Sequence, residues 1–265
     1  MKNYRDLVLF FVFTYVWSWL CWIIAIIINQ PLSIWYVFVL YAFGGIAPSC
    51  VGIILSFFEN KTKRAEYWLR FTDVKRISFL WFFISLFGPF MIIITAILLD
   101  ILFFGYSIQF SNIVNLGQDF YGVFSIIGFG LITVLIEEFG WRAYALPKLL
   151  DNVNATLSSS ILGIFWSFWH IPLFLISGTY QNGLGIFTTN FYIYMISAFL
   201  FTFIITFVFQ KTKFSMISAM ILHFSNNLAG ELFGPSTRVE ILRVILFLIL
   251  SIYIIIYWKI KRNKT

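Results

Sequence analysis

Long apolar runs separated by short polar segments follow one another along nearly the whole chain. A bilayer hydrocarbon core about 30 Å thick is crossed by about 20 helical residues. The runs lack the strict alternation of membrane β-barrel strands, and a helix satisfies its backbone hydrogen bonds internally. The pattern therefore predicts an all-α, polytopic membrane protein with about eight transmembrane helices, at 7–28, 34–58, 78–104, 121–148, 155–176, 189–210, 214–230 and 240–258.

The composition indicates the same class. Of the 265 residues, 61% are hydrophobic and 11% are charged, against about 45–50% and about 25% in soluble domains. That excess is too large for one water-soluble core. The first run is longer than the roughly 7–15 apolar residues of a signal peptide, so we interpret it as a retained span. We predict a single membrane-embedded domain, 1–265.

The basic residues predict the orientation. If the N-terminus is cytoplasmic, every lysine and arginine except Arg238 and Arg243 falls in a cytoplasmic segment. The positive-inside rule then places both the N- and the C-terminus in the cytoplasm. The net charge of +7 thus reflects membrane topology and not a nucleic-acid partner. The segment 59–77 mixes basic and aromatic residues, as an interfacial amphipathic helix does.

Polar motifs interrupt three of the predicted spans. Charged groups near the bilayer centre cost about 2.5–3.5 kcal/mol each on insertion scales, so each is expected to have a structural or functional role. The only two histidines of the chain lie in these motifs. Residues four apart share a helix face, and this spacing relates Glu138 to Arg142, Trp166 to His170, and His223 to Asn227.

The three motifs are expected to meet inside the membrane. At a rise of about 1.5 Å per residue, Glu137 and His170 lie roughly 22–27 Å from the cytoplasmic turn near residue 152. His223 and Asn227 lie roughly 15–21 Å from the turn at 211–213. Glu138 can form a structural pair with Arg142, whereas Glu137 has no partner charge left. The sequence therefore favours a functional site over isolated packing residues.

The three motifs resemble those of the CAAX protease and bacteriocin-processing family, whose pattern is E-E-x-x-x-R, F-x-x-x-H and H-x-x-x-N. Here Trp166 stands where the family usually has Phe, so an aromatic side chain is kept. The motif-bearing core runs from about 120 to 230. The resemblance implies an intramembrane endopeptidase related to the type II CAAX prenyl endopeptidase, which cuts a prenylated C-terminal segment.

The resemblance also implies roles for individual residues. Glu137 and His170 would activate the attacking water, and His223 and Asn227 would stabilise the oxyanion. The supporting residues would be Glu138, Arg142 and Trp166. No cofactor is required in this reading, although Glu137, His170 and His223 could instead bind a catalytic zinc ion. We prefer the metal-independent glutamate mechanism, because the chain lacks an H-E-x-x-H motif.

Two other functions stay open at this point. Some members of the family are linked to bacteriocin self-immunity, which would allow an immunity or scaffold role. Intramembrane Glu and His also serve as proton relays in transporters, but here the polar motifs lie in one half of the chain only. The expected partners are membrane lipid and a peptide or lipidated-protein substrate, and the expected location is the plasma membrane of a prokaryote. The sequence does not determine the oligomeric state.

Overall fold

The computed structural model of the protein describes residues 4–105 and 120–262. Within these residues every regular element is helical, which confirms the all-α fold. A π-helical segment, Trp141–Ala145, and two 3-10 turns, Val74–Arg76 and Ile171–Leu175, join longer helices. The helices are α1 Arg5–Ile28, α2 Trp35–Gly45, α3 Ala47–Phe57, α4 Lys61–Thr72, α5 Phe79–Phe104, α6 Phe120–Gly140, α7 Leu146–Asn152, α8 Ala155–Trp169, α9 Tyr180–Leu184, α10 Thr189–Lys211, α11 Met216–Phe233 and α12 Thr237–Arg262.

Six of the described helical stretches are long and apolar enough to cross a membrane, and the number rises to seven if the bent pair α2–α3 is one span. The predicted count of about eight is therefore approximate. The difference is α11, which corresponds to the predicted span 214–230. It carries His223, Asn226, Asn227 and Glu231, which lower its mean hydropathy. The membrane side on which the termini lie stays a prediction.

The predicted span 34–58 is broken in the middle. Helices α2 and α3 meet at an angle of 42° around Ile46. The break follows Gly44 and Gly45, and Pro48 lies in the first turn of α3, where the missing N–H costs no helical hydrogen bond. The bend brings α3 against α6, where Gly52 and Gly140 allow close backbone contact.

Gly140→Ala should destabilise the protein by about 1–3 kcal/mol, as overpacking does in well-packed cores. A Cβ atom at position 140 would lie 2.2 Å from the carbonyl oxygen of Pro48, which is backbone and cannot swing away. Gly128→Ala on the same helix is the matched control, because a Cβ there meets no described heavy atom within 4 Å. Thermal unfolding in detergent compares the two, and equal melting temperatures would contradict the close contact.

Helix α4 occupies the basic segment predicted to be an amphipathic helix. Its N-terminus is capped by Asn60, whose side chain accepts from the backbone N–H of Lys63 at 2.9 Å. Two hydrogen bonds join the helix to the end of α6 and to the π-helical segment that follows. Tyr67 donates to the carbonyl of Phe139 at 3.1 Å, and Arg70 donates to the carbonyl of Ala143 at 2.7 Å. The polar segment thus supports the backbone that carries the first motif.

Candidate active site

Three polar motifs from three helices face one cavity of about 710 Å³. Glu137 comes from the last turn of α6, His170 from the end of α8, and His223 from the middle of α11. The structure therefore brings together groups that are 33 to 86 residues apart in sequence, as the predicted depths required. The cavity walls also include Trp166 and Asn227.

Glu137 is buried and has a hydrogen-bond donor that the sequence did not reveal. The indole Nε1 of Trp166 donates to Oε2 of Glu137 at 2.7 Å. A charge-assisted bond of this kind fixes the plane of the carboxylate. Glu137 was expected to lack a partner charge, and its partner is indeed a neutral donor.

His170 lies where α8 ends, not within a continuous span. The α-helix of the predicted span 155–176 ends at Trp169, because Pro172 has no N–H with which to continue the α-helical hydrogen bonds, and the chain continues as a 3-10 turn over Ile171–Leu175. Nδ1 of His170 is 2.7 Å from the carbonyl oxygen of Trp166. A carbonyl can only accept, so Nδ1 carries the proton in this bond and the neutral ring keeps its lone pair on Nε2.

Glu138 links the first and third motifs. Its Oε1 accepts from Nη1 of Arg142 at 2.9 Å, which confirms the predicted pair four residues apart. The same oxygen is 2.8 Å from Nδ1 of His223, 85 residues away. Glu138 and Arg142 are both fully buried, and the guanidinium lies 4.1 Å from the ring centre of Trp166. The buried pair therefore positions His223 as well as neutralising itself.

Asn227 lies one helical turn beyond His223 and lines the same cavity. The two serines nearest the histidines are engaged elsewhere: Ser167 donates to the carbonyl of Met195, and Ser225 donates to the carbonyl of Leu86. These hydrogen bonds disfavour either serine as a nucleophile.

Tyr194 is a cavity residue that the sequence did not single out. Its ring packs edge-to-face on His170, with centroids 5.5 Å apart, and its hydroxyl accepts from Gln181 at 3.2 Å. A tyrosine within the long apolar run of α10 carries no pattern that distinguishes it from a packing residue. Only the tertiary contact identifies it as part of the wall beside His170.

The possible zinc ligands Glu137, His170 and His223 share the cavity, but they do not form a metal-binding set. Among the residues that the structure describes, no three His, Cys, Asp or Glu side chains are grouped so that they could hold a metal ion. A structural or catalytic zinc site needs three or four such ligands at about 2.0–2.3 Å. Glu137, His170 and His223 are thus not grouped as a zinc ligand set, and the metal-independent mechanism stays a prediction.

The fold and the site together define an integral membrane protein with glutamate and histidine side chains gathered around an internal cavity. Residues 119–229 match the family model "Type II CAAX prenyl endopeptidase Rce1-like". The chain is also 28% identical over 263 residues to CAAX prenyl protease 2 of Methanococcus maripaludis, covering 95% of this chain and 93% of the relative. These matches support its assignment to the CAAX protease and bacteriocin-processing family, as the motifs predicted. They support a protease of the CAAX prenyl endopeptidase type.

Proposed function

We propose that the protein is an intramembrane endopeptidase in which Glu137 and His170 activate the attacking water. The observation that carries this proposal is that one residue, Trp166, orients both groups. Its indole N–H binds the carboxylate of Glu137, and its backbone carbonyl binds Nδ1 of His170. Both side chains line the same cavity. Such fixed geometry is what general-base catalysis requires.

In the proposed reaction a water molecule between Glu137 and His170 gives a proton to the Glu137 carboxylate as its oxygen attacks the peptide carbonyl. The orientation of His170, with its lone pair on Nε2, supports a role as acceptor of a proton or of a hydrogen bond from that water. Collapse of the tetrahedral intermediate breaks the C–N bond, and the leaving amine takes the proton back. Attack and proton return need no further group.

His223 and Asn227 are proposed to stabilise the oxyanion. Asn227 can donate from its side-chain amide. His223 shares Nδ1 with Glu138, so its Nε2 can donate only when the ring is protonated on both nitrogens. Each donor of this type contributes about 2.7–4 kcal/mol in other hydrolases.

The lining of the cavity and the name of a relative support a proposal for the substrate class. The walls are largely apolar, with Phe129, Ile136, Phe201 and Phe224 among them. This supports a membrane-associated peptide, cut near a C-terminus that is prenylated or otherwise held at the bilayer. The relative in Methanococcus maripaludis is a CAAX prenyl protease. We propose the plasma membrane of a prokaryotic cell as the location.

Trp166→Phe should lower the cleavage rate by about 10- to 100-fold. The phenyl ring keeps the aromatic packing but cannot donate to Glu137, and a hydrogen bond to a charged group is worth about 1.5–3 kcal/mol. Trp169→Phe is the matched control, because its indole N–H donates to Oγ of Ser18 and not to a carboxylate. Cleavage of a fluorogenic prenylated peptide by the purified variants gives both rates. Equal losses in the two variants would refute the orienting role of Trp166.

Cleavage is expected to proceed without zinc. Purified protein should contain well under one zinc ion per chain by elemental analysis, and treatment with a chelator should leave the rate unchanged. The reason is the poor fit of Glu137, His170 and His223 to a zinc ligand set. Stoichiometric zinc, together with loss of activity on chelation and its return on adding zinc, would contradict the metal-independent mechanism.

The proposed function is tested by comparative proteomics of membranes that contain the wild-type protein or Glu137→Ala. An uncleaved precursor should accumulate only in the variant, with its normal C-terminus or internal cleavage product missing. If the two membrane proteomes are identical under conditions where both proteins are folded and abundant, the endopeptidase proposal fails. Bacteriocin protection that survives Glu137→Ala would then favour a non-catalytic immunity role.

A further inference from the structure

A second polar cluster lines the cavity away from the three motifs. Arg243 of α12 pairs with Glu240 one turn earlier, with Nη2 of the arginine 2.9 Å from Oε2 of the glutamate. Both side chains are largely buried and line the cavity, and Arg243 is the one basic side chain among the described residues that do so. Buried charges are costly to keep, and the proposed hydrolysis uses neither residue. A role of its own is therefore expected for this pair.

The guanidinium of Arg243 has hydrogen-bonding capacity that its pair with Glu240 does not use. Its Nε is buried and has no hydrogen-bond partner among the residues that the structure describes. Its Nη1 lies beside α11, 3.7 Å from the point that a Cβ atom on Gly230 would occupy. The missing side chain of Gly230 thus leaves room next to the guanidinium. A planar guanidinium presents adjacent N–H groups whose spacing matches the two oxygens of a carboxylate.

Ser197 of α10 carries a second unused donor at about the same depth. Its hydroxyl is buried without a hydrogen-bond partner in the described part of the chain, and the residue lines the cavity. Helices α10 and α12 run parallel, because Asn190 binds Thr237, 47 positions later, and Phe201 stacks on Phe247 at a nearly equal offset. The same offset sets Ser197 level with the guanidinium.

The guanidinium lies about 10 Å from the proposed oxyanion site, measured along α11. Gly230, beside which it lies, follows His223 by about two helical turns of about 5.4 Å each. An extended peptide spans about 3.3–3.6 Å per residue. About three residues after the scissile bond would therefore carry the end of a peptide from His223 to Arg243.

We propose that Arg243 and Ser197 bind the free C-terminal carboxylate of the substrate, so that the protein selects peptides ending about three residues beyond the scissile bond. The carboxylate oxygens accept from the guanidinium and from the Ser197 hydroxyl, while Glu240 holds the guanidinium through Nη2. This inference rests on the proposed endopeptidase function. It adds to that function the residues that recognise the end of the substrate.

Two acidic side chains on the same wall define the competing occupant. Glu231 and Glu240 line the cavity together with Arg243. A neutral or cationic chain end would be preferred if Glu240 fully engaged the guanidinium. The Nε of Arg243 and the hydroxyl of Ser197 favour the anionic end, because both are buried donors for which the described residues supply no acceptor.

Cleavage of two matched peptides tests the proposal. Both carry a farnesylated cysteine followed by the same three residues, and they differ only in ending as a free acid or as a carboxamide. The wild-type protein should cleave the acid with a kcat/KM about 10- to 100-fold above that of the amide, the range expected for loss of a charge-assisted hydrogen bond. Equal values, or a preference for the amide, would overturn the proposal.

Variants of the cluster assign the preference to its residues. Combining Arg243→Gln with Glu240→Gln removes the pair without leaving either charge alone, and the acid-to-amide ratio should fall to near one. Ser197→Ala should lower the ratio by about 3- to 10-fold. Arg238→Gln is the matched control on α12, because Arg238 pairs with Asp100 and is not among the described cavity-lining residues.

The acid-to-amide ratio is independent of how much of the protein is folded, so a merely structural role of the cluster would not change it. The control Arg238→Gln should keep the wild-type ratio. A wild-type ratio in the variant that lacks both Arg243 and Glu240 would contradict the assignment of the carboxylate site to this cluster.

Binding measurements separate this inference from the endopeptidase function. Glu137→Gln should bind the acid peptide about 10- to 100-fold more tightly than the amide in the same detergent. Equal affinities would overturn the carboxylate site even if the wild-type protein cleaves both peptides. Conversely, tighter binding of the acid with no cleavage by the wild-type protein would refute the endopeptidase function and leave the carboxylate site standing.

Discussion

Glu137→Gln is expected to lower the rate of peptide cleavage by about 10²–10⁴-fold, the range that a positioned general base contributes. The substitution keeps the shape of the side chain and an oxygen that accepts from the indole of Trp166. It removes the carboxylate charge that takes a proton from water. Because no ion pair of Glu137 is broken, the variant should reach the membrane and unfold at nearly the wild-type temperature.

The measurement is the turnover of a fluorogenic prenylated peptide by purified protein, alongside thermal unfolding in the same detergent. Glu66→Gln is the matched control, since Glu66 is a partly exposed glutamate of α4 whose partners are Arg70 and Arg76. The hydrogen bonds from Arg76 lower the pKa of the Glu66 carboxyl, which marks it as a structural ion-pair partner outside the cavity. Full activity in Glu137→Gln would exclude Glu137 as the base.

Glu138→Gln is expected to destabilise the protein by about 3–5 kcal/mol, the cost of breaking a buried pair and leaving one charge uncompensated. Glu138 and Arg142 are both inaccessible, and one oxygen of Glu138 serves Arg142 and His223 together. The amide cannot neutralise the guanidinium. Both the folded fraction in SDS-titrated detergent micelles and the cleavage rate should therefore fall.

The control is a double-mutant cycle with Arg142→Met. The single variant Arg142→Met leaves Glu138 as a buried charge with only His223 beside it, so it should also be strongly destabilised. The double variant removes both charges and should lose less stability than the sum of the two single losses. Strict additivity would show that the two side chains are not coupled, contrary to their 2.9 Å contact.

Much of the architecture could be predicted from hydropathy alone. The predicted spans 7–28, 78–104 and 189–210 correspond closely to α1, α5 and α10. The predictions were less accurate where local chemistry breaks a helix inside an apolar run. In the fifth predicted span, Pro172 ends the α-helix next to the candidate catalytic residue His170. The bend around Ile46 likewise follows from packing of Gly44 against Trp22 and of Pro48 against Gly140.

The residues of the site were predicted more fully than the hydrogen bonds that connect them. Spacing alone indicated the Glu138–Arg142 pair, because both residues lie on one face of one helix. Spacing could not indicate that Glu138 also holds His223, or that Trp166 donates to Glu137. These contacts join side chains on different helices that are 85 and 29 residues apart in the sequence. The substitution of Trp for the usual Phe of the family was interpreted only as conserved packing, whereas the structure gives the indole N–H a specific acceptor.

The sequence by itself determined that this is a helical membrane protein with costly polar groups in three spans. A bilayer imposes on each helix a length and an apolarity that can be recognised without knowing its neighbours. The tertiary structure alone decided which atoms meet around the cavity. Those contacts depend on how far each helix is rotated about its own axis and on how deep it lies relative to its neighbours. These are set by side-chain packing between helices, which leaves no periodic trace along the chain.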